Sequence, residues 1–374
     1  MKILMPVLHY YPVIGGLETW TQNIAEGFSG KAEIFVVTGK VEKRPKKETL
    51  NGVKVFRTSL YNLRDLSFSS LFYIFTTLPF IFLKSLGLIK KEKINLLHCQ
   101  GFLGGLLGYF LFKIQKVPYI VTVQKLEGGK GFLKRLAYQN AKTCIVASSA
   151  IKKYFEGIGV KDIRIIPNGI NLNRFQNIDR EESRKQLKLG DEFVIMTIGR
   201  LEWRKGFKYL IGAMNLLKEK LDEIDFRSMK LLIIGGGVLR GELEKLVYGL
   251  SLGEKVKFLG ALPGQKIPEY LAACDCFVLT SLEEGFGIVI LEAMASRVPV
   301  VGTKIGGILD IIKDRETGVL VESKNPGAIA EAIYEIYSRP EFAKNLVSEA
   351  ARDLPQYEWQ KIIERVEKIY LEFI

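Results

Sequence analysis

Glu284 and Glu292 bracket the run Glu-Gly-Phe-Gly-Ile-Val-Ile-Leu-Glu, a glycine-aromatic-glycine corner between two apolar segments. Carboxylates only accept hydrogen bonds, so two of them at fixed separation suit a ligand rich in hydroxyls. The residues before the corner, Cys276 to Thr280, are apolar strand formers, whereas Ile288, Leu291 and Ala295 recur at helical spacing. Gly285, Phe286 and Gly287 therefore form a strand-to-helix turn at the carboxyl edge of a parallel sheet. The helix that starts at Ile288 offers free N–H groups and a positive dipole end to an anion. Hydroxyls and a phosphate in one ligand describe a sugar nucleotide, with Glu284 on the turn and Glu292 inside the helix holding its opposite ends.

A second group of chemistry-bearing residues follows another apolar strand, in Thr197-Ile198-Gly199-Arg200-Leu201-Glu202-Trp203-Arg204-Lys205-Gly206. The planar fork of Arg200 and the mobile ammonium of Lys205 suit a diphosphate bound without metal, both facing one cleft. The first strand runs into Gly15-Gly16, where two residues without Cβ let backbone approach a phosphate at a helix start. Ile233-Ile234-Gly235-Gly236-Gly237 ends a further strand. It is not a dinucleotide fingerprint, because Arg240 stands where the third glycine is required.

These elements resemble the retaining glycosyltransferases of the GT-B fold, specifically family 4 (glycosyltransferases group 1). The likeness rests on the E-x7-E run from Glu284 to Glu292, on Gly199-Arg200 with Lys205-Gly206, and on the double-glycine loop. It covers nearly the whole chain, tightly in the second half and loosely in the first. The resemblance implies that Arg200 and Lys205 bind the donor diphosphate, Glu284 the sugar hydroxyls and Glu292 the ribose. Gly285, Phe286, Gly287 and Ile288 form the helix start at the phosphates, and Gly15 and Gly16 reach the donor across a cleft. Gly199 and Gly236 lie in the turns beside the nucleotide, and the loop carrying Leu262 holds the base. Pro167-Asn168-Gly169 matches the turn that leads out of the first domain. Transfer with retention is expected by front-face attack, the departing diphosphate helping to remove the acceptor proton. No D-x-D motif is present, so neither a metal nor a cofactor is expected beyond the nucleoside diphosphate sugar itself.

The chain departs from the family pattern where histidines are usual. T-x-H reads Thr122-Val123-Gln124, and H-x-H reads His98-Cys99-Gln100. A glutamine cannot take a proton at neutral pH, so Gln124 and Gln100 are expected as acceptor or phosphate contacts, and His98 as a structural residue. The expected catalytic set is Arg200, Lys205, Glu284 and Gln124.

What positions these residues is an alternation of strand-like and helix-like runs along 374 residues, enough for two α/β domains with parallel sheets. Strands are expected near 2–7, 32–38, 52–58, 95–100, 119–124, 143–148 and 163–167, then near 193–199, 230–235, 255–259, 276–280, 298–302 and 318–322. The expected division is an acceptor-side domain at 1–175, joined by the terminal helix 357–374, and a nucleotide-sugar domain at 176–356. Asn171 to Gly190, polar and without sustained periodicity, is read as the connection.

Residues 1–175 carry 26 Lys and Arg against 10 Asp and Glu, whereas the remainder carries 28 against 31. The basic half favours an anionic partner, and the apolar stretch 66–89 beside Lys84, Lys90, Lys91 and Lys93 is either buried or dips into a membrane surface. A lipid-linked or membrane-surface acceptor is therefore expected, at the cytoplasmic face, in polysaccharide or glycolipid synthesis. The four cysteines lack metal-ligand spacing and read as core residues in a reducing compartment, and the amino terminus lacks a secretory signal. Uridine, guanosine and adenosine all remain open as the donor base. A retaining phosphorylase or sugar-phosphate synthase of the same fold is the alternative. A nucleic-acid-binding protein is the remote one, disfavoured by the lack of a zinc knuckle or basic recognition helix.

Overall fold

The computed structural model describes residues 1–13, 15–59, 71–125, 129 and 131–374. The chain folds into two compact units, residues 1–169 with 359–374, and residues 170–358. In the first, β1 (Lys2–Pro6), β2 (Glu33–Thr38), β3 (Lys47–Leu50), β4 (Val53–Arg57), β5 (Leu96–Gln100), β6 (Tyr119–Val123), β7 (Cys144–Val146) and β8 (Ile163–Ile165) form one sheet. Its order is β3-β4-β2-β1-β5-β6-β7-β8. Every described pairing is parallel except β3 against β4. Strands β5 and β6 are buried along their whole length, as a sheet covered on both faces requires.

Alternate residues of these strands meet different layers. Ile3, Met5, His98 and Ile120 face α1 (Gly16–Gly27) and the terminal helix Trp359–Phe373, which contributes Ile362, Val366, Ile369 and Tyr370 to the core. Cys99, Tyr119 and Val121 face the other way, toward α3 (Gly101–Gln115), whose Gly104, Gly105 and Gly108 allow the close approach. Helix α2 (Leu71–Glu92) packs beside α3 and carries Pro79 within it.

In the second unit, β9 (Phe193–Ile198), β10 (Met229–Ile234), β11 (Val256–Gly260), β12 (Cys276–Leu279), β13 (Val300–Thr303) and β14 (Val319–Val321) form a wholly parallel sheet, β11-β10-β9-β12-β13-β14. Apart from the antiparallel β3–β4 pair at one edge, each sheet reverses its strand order once, between β1 and β5 and between β9 and β12. Crevices at the carboxyl ends of strands at such points are where open α/β sheets take ligands.

Two readings change. The edge strand β3, Lys-Glu-Thr-Leu, lies outside the expected strands because its polar residues carry no apolar alternation. The segment read as a connection is folded onto the second unit. Arg180 bonds the carbonyl of Cys274 at 2.6 Å, and Arg184 bonds Asp275 at 3.1 Å. The chain passes between units instead at Gly169–Ile170 and at Glu358–Trp359. Residues 66–70 of the apolar stretch lie outside the described residues.

Candidate functional site

In the second unit the turns after β9 and β12 emerge side by side because those strands are neighbours. Lys205, in the short 3-10 turn Trp203–Lys205, reaches across to Glu284, with Nζ donating to Oε2 at 2.6 Å. Ser281 Oγ donates to the same carboxylate oxygen at 3.1 Å. Both charged side chains are largely shielded, 19% and 15% exposed, so the pair is more strongly coupled than an ion pair in water. Arg200 stands apart. Its guanidinium is 77% exposed and touches only Glu202 at 3.4 Å among the described residues, leaving its donors open to an anion.

Backbone crowding fixes these turns. Gly235 has φ of 142°, and a Cβ there would lie 1.8 Å from the carbonyl oxygen of Gly199. The two glycines thus let the ends of β9 and β10 close together. On the opposite side Gly306 has φ of 50°, and a Cβ would stand 2.1 Å from the Glu284 carbonyl oxygen, which also accepts from Gly307 N at 3.1 Å. Gly287, with φ of 95°, precedes the helix Ile288–Ala295, whose first turn holds no acidic side chain. Phe286 is buried against Tyr357, so it shapes the turn from beneath.

A model of the group 1 glycosyl transferases matches residues 179–353, and one of glycosyltransferase family 4 matches residues 14–174. An uncharacterized glycosyltransferase of Methanocaldococcus jannaschii is 30% identical, over 99% of this chain and 98% of its own. The chain belongs to the family 4, group 1 glycosyltransferases. A D-inositol 3-phosphate glycosyltransferase of Corynebacterium jeikeium is 26% identical over 100% of this chain and 97% of its own. Among solved structures, sucrose-phosphate synthase of Thermosynechococcus elongatus superposes with a TM-score of 0.83 at 24% identity, covering 99% and 98% of the two chains. Anabaena HepE in complex with UDP gives 0.79 at 22%, covering all of both. These likenesses establish the GT-B fold.

In this glycosyltransferase Glu292 lies about one turn into the helix Ile288–Ala295. Burial pushes its carboxyl up to about 7, with the Arg174 guanidinium opposing part of the rise. Gly236 is open, with nothing but Ala261 near a prospective Cβ, and Leu262 follows β11 half-buried.

In the first unit, Gly15 and Gly16 begin α1, and the side chain of Glu18 folds back over Gly15, where a Cβ would meet its Oε2 at 2.3 Å. An external anion at this helix start would displace that carboxylate. Gln124, at the end of β6, and Gln100, at the end of β5, both present buried amide atoms without hydrogen-bond partners among the described residues. Gln100 lines a cavity of about 100 Å³ at the β1–β5 reversal, together with His9, Glu18, Leu78 and Leu107. His98 is structural. It is fully buried, bonded to Tyr370 Oη at 2.6 Å and Thr122 Oγ1 at 2.8 Å, and burial holds its imidazole down at about 3.

Ser281, Gly306 and Gly307 escape the sequence reading. The paired glycines after β13 were the visible signal, but their contact with the Glu284 turn depends on the β12–β13 pairing.

Proposed function

We propose that this glycosyltransferase moves a hexose, with retention of anomeric configuration and without a metal, from a nucleoside diphosphate sugar to a lipid-linked or membrane-surface acceptor. The observation that carries the reading is the Lys205–Glu284 pair at 2.6 Å beside the helix start at Ile288. A cation, free N–H groups and a carboxylate are what a departing diphosphate and a sugar ring need. Lys205 and Arg200 neutralise the diphosphate as charge develops on it. Glu284 accepts from sugar hydroxyls and Glu292 from the ribose diol. Gly199, Gly236 and Leu262 flank the base, while Gly15, Gly16 and Gln124 serve phosphate and acceptor.

UDP and UDP-glucose are bound by Anabaena HepE. A GDP-mannose-dependent phosphatidylinositol mannosyltransferase of Mycobacterium tuberculosis is 27% identical over 55% of this chain. Uridine and guanosine are therefore the first donor bases to try. The test is thermal stabilisation by UDP, GDP, ADP and NAD, because a ligand bound only by the folded state raises its stability. One nucleoside diphosphate should shift the protein, and Glu292→Ala should abolish the shift while keeping the fold. A shift with NAD alone would overturn the proposal. Product anomers read by NMR then decide retention.

A further inference from the structure

We infer that the outer face of α2 and α3, with the short helix Phe132–Gln139 beside α3, is a docking surface for an anionic lipid bilayer. This deepens the proposed membrane-surface acceptor and rests on that reading for its purpose, though not for its evidence. Helix α2 buries Ile81, Leu88 and Ile89 together with Thr77 and Ser85, whose hydroxyls lack hydrogen-bond partners among the described residues, yet it leaves Phe75 72% and Leu83 64% exposed. Helix α3, Gly-Phe-Leu-Gly-Gly-Leu-Leu-Gly-Tyr-Phe-Leu-Phe-Lys-Ile-Gln, is apolar all round, a pattern that belongs to a helix covered on every side. Its glycine side is covered by β5 and β6, and α2 and the helix Phe132–Gln139 flank it, burying Leu107 and Leu111, yet Phe110 and Ile114 face outward one turn apart. Phe132 and Leu133 add to the exposed apolar surface on the third helix, which Lys134 ties to α3 by lying 5.8 Å from the Phe102 ring.

The charge around these residues is of one sign. Residues 71–116 and 131–139 hold eight Lys or Arg and a single acid, Glu92. Exposed apolar side chains among lysines are the chemistry of a peripheral membrane surface: rings and aliphatic tips enter the acyl boundary, and ammonium groups meet lipid phosphates. The same charge opposes a second copy of this face. No helix among the described residues is long and apolar enough to cross a membrane, so the contact is interfacial.

The experiment is co-sedimentation of the full chain with vesicles of phosphatidylcholine alone and of equal parts phosphatidylcholine and phosphatidylglycerol. Binding should be confined to the anionic vesicles and should weaken with added salt. Phe110→Ser combined with Ile114→Ser, both at exposed positions, should weaken it roughly tenfold or more, as loss of inserted apolar surface predicts. Lys91→Gln with Lys113→Gln should weaken it by a similar factor. Equal binding to both vesicle types, no binding to either, or unchanged binding by the apolar variant would overturn the assignment. Nucleotide-induced thermal stabilisation of the same variants reports the donor reading separately. A protein that binds vesicles and no nucleotide keeps this surface and loses the proposed function.

Discussion

A carboxyl poised near neutrality is the most telling single group in the second unit. In the proposed function Glu292 accepts from both hydroxyls of a ribose diol, which a carboxylate does best, yet burial raises it to about 7. The affinity for the nucleoside diphosphate should therefore fall as pH drops through that value, and Glu292→Gln should bind weakly with little pH dependence. Isothermal titration at a series of pH values checks both. Lys205→Ala should cost roughly a hundredfold or more in kcat/KM, the usual loss on removing one preorganised donor to developing charge. It also strips Glu284 of its 2.6 Å partner. Arg200→Ala should cost less stability than Lys205→Ala, since Arg200 is mostly exposed in the free protein. At this scale the sequence exposes residues that carry charge at family spacing, such as Glu284 and Lys205. It conceals Ser281 and Gly306, which act on Glu284 through a hydroxyl and a backbone approach set by tertiary packing.

Elements were legible where apolar residues run together or recur at a helical period. The long apolar runs of β1, β2, β5, β6 and β10 announce parallel strands covered on both faces. Strand β3 was hidden because it is a polar edge, its exposed Lys47 and Thr49 alternating with half-buried Glu48 and Leu50. The terminal helix was legible by its amphipathic spacing, but the meaning of Tyr370 was not. Its hydroxyl holds Nδ1 of His98, from a residue 272 positions away. Tyr370→Phe should leave that nitrogen unpartnered in a fully buried site and cost about 1–3 kcal/mol of stability. The measurement is the urea midpoint of the first unit, with nucleotide affinity in the second unit unchanged. An unaltered midpoint would mean that His98 finds another partner when the hydroxyl is gone.

For the whole molecule, the division into units gives acid opposite effects on the two halves. In the first unit burial lowers His98 from 6.5 to about 3 and His9 to about 4, so below about pH 6.5 the unfolded chain binds more protons than the folded one. That unit should lose stability as pH falls through this window. In the second unit Glu292 is raised from 4.5 to about 7, so between those values the folded state binds the extra proton. There stability should rise as pH falls, by up to about 3 kcal/mol once the full window is crossed. The carboxylates held low by cationic partners, Glu192 and Glu335, carry stability that is lost only on acidification below the ordinary carboxylate range. They leave the interval between about pH 5 and about pH 7 to the histidines and Glu292. Calorimetry at both ends of that interval should show two transitions moving toward or past each other. Under the proposed function, the transition that a nucleoside diphosphate raises should be the second unit's. Glu292→Gln should remove the upward shift of that transition on acidification and leave the downward shift of the other intact. Two transitions that moved together in the wild type would show that the protonation states inferred for the buried groups are wrong.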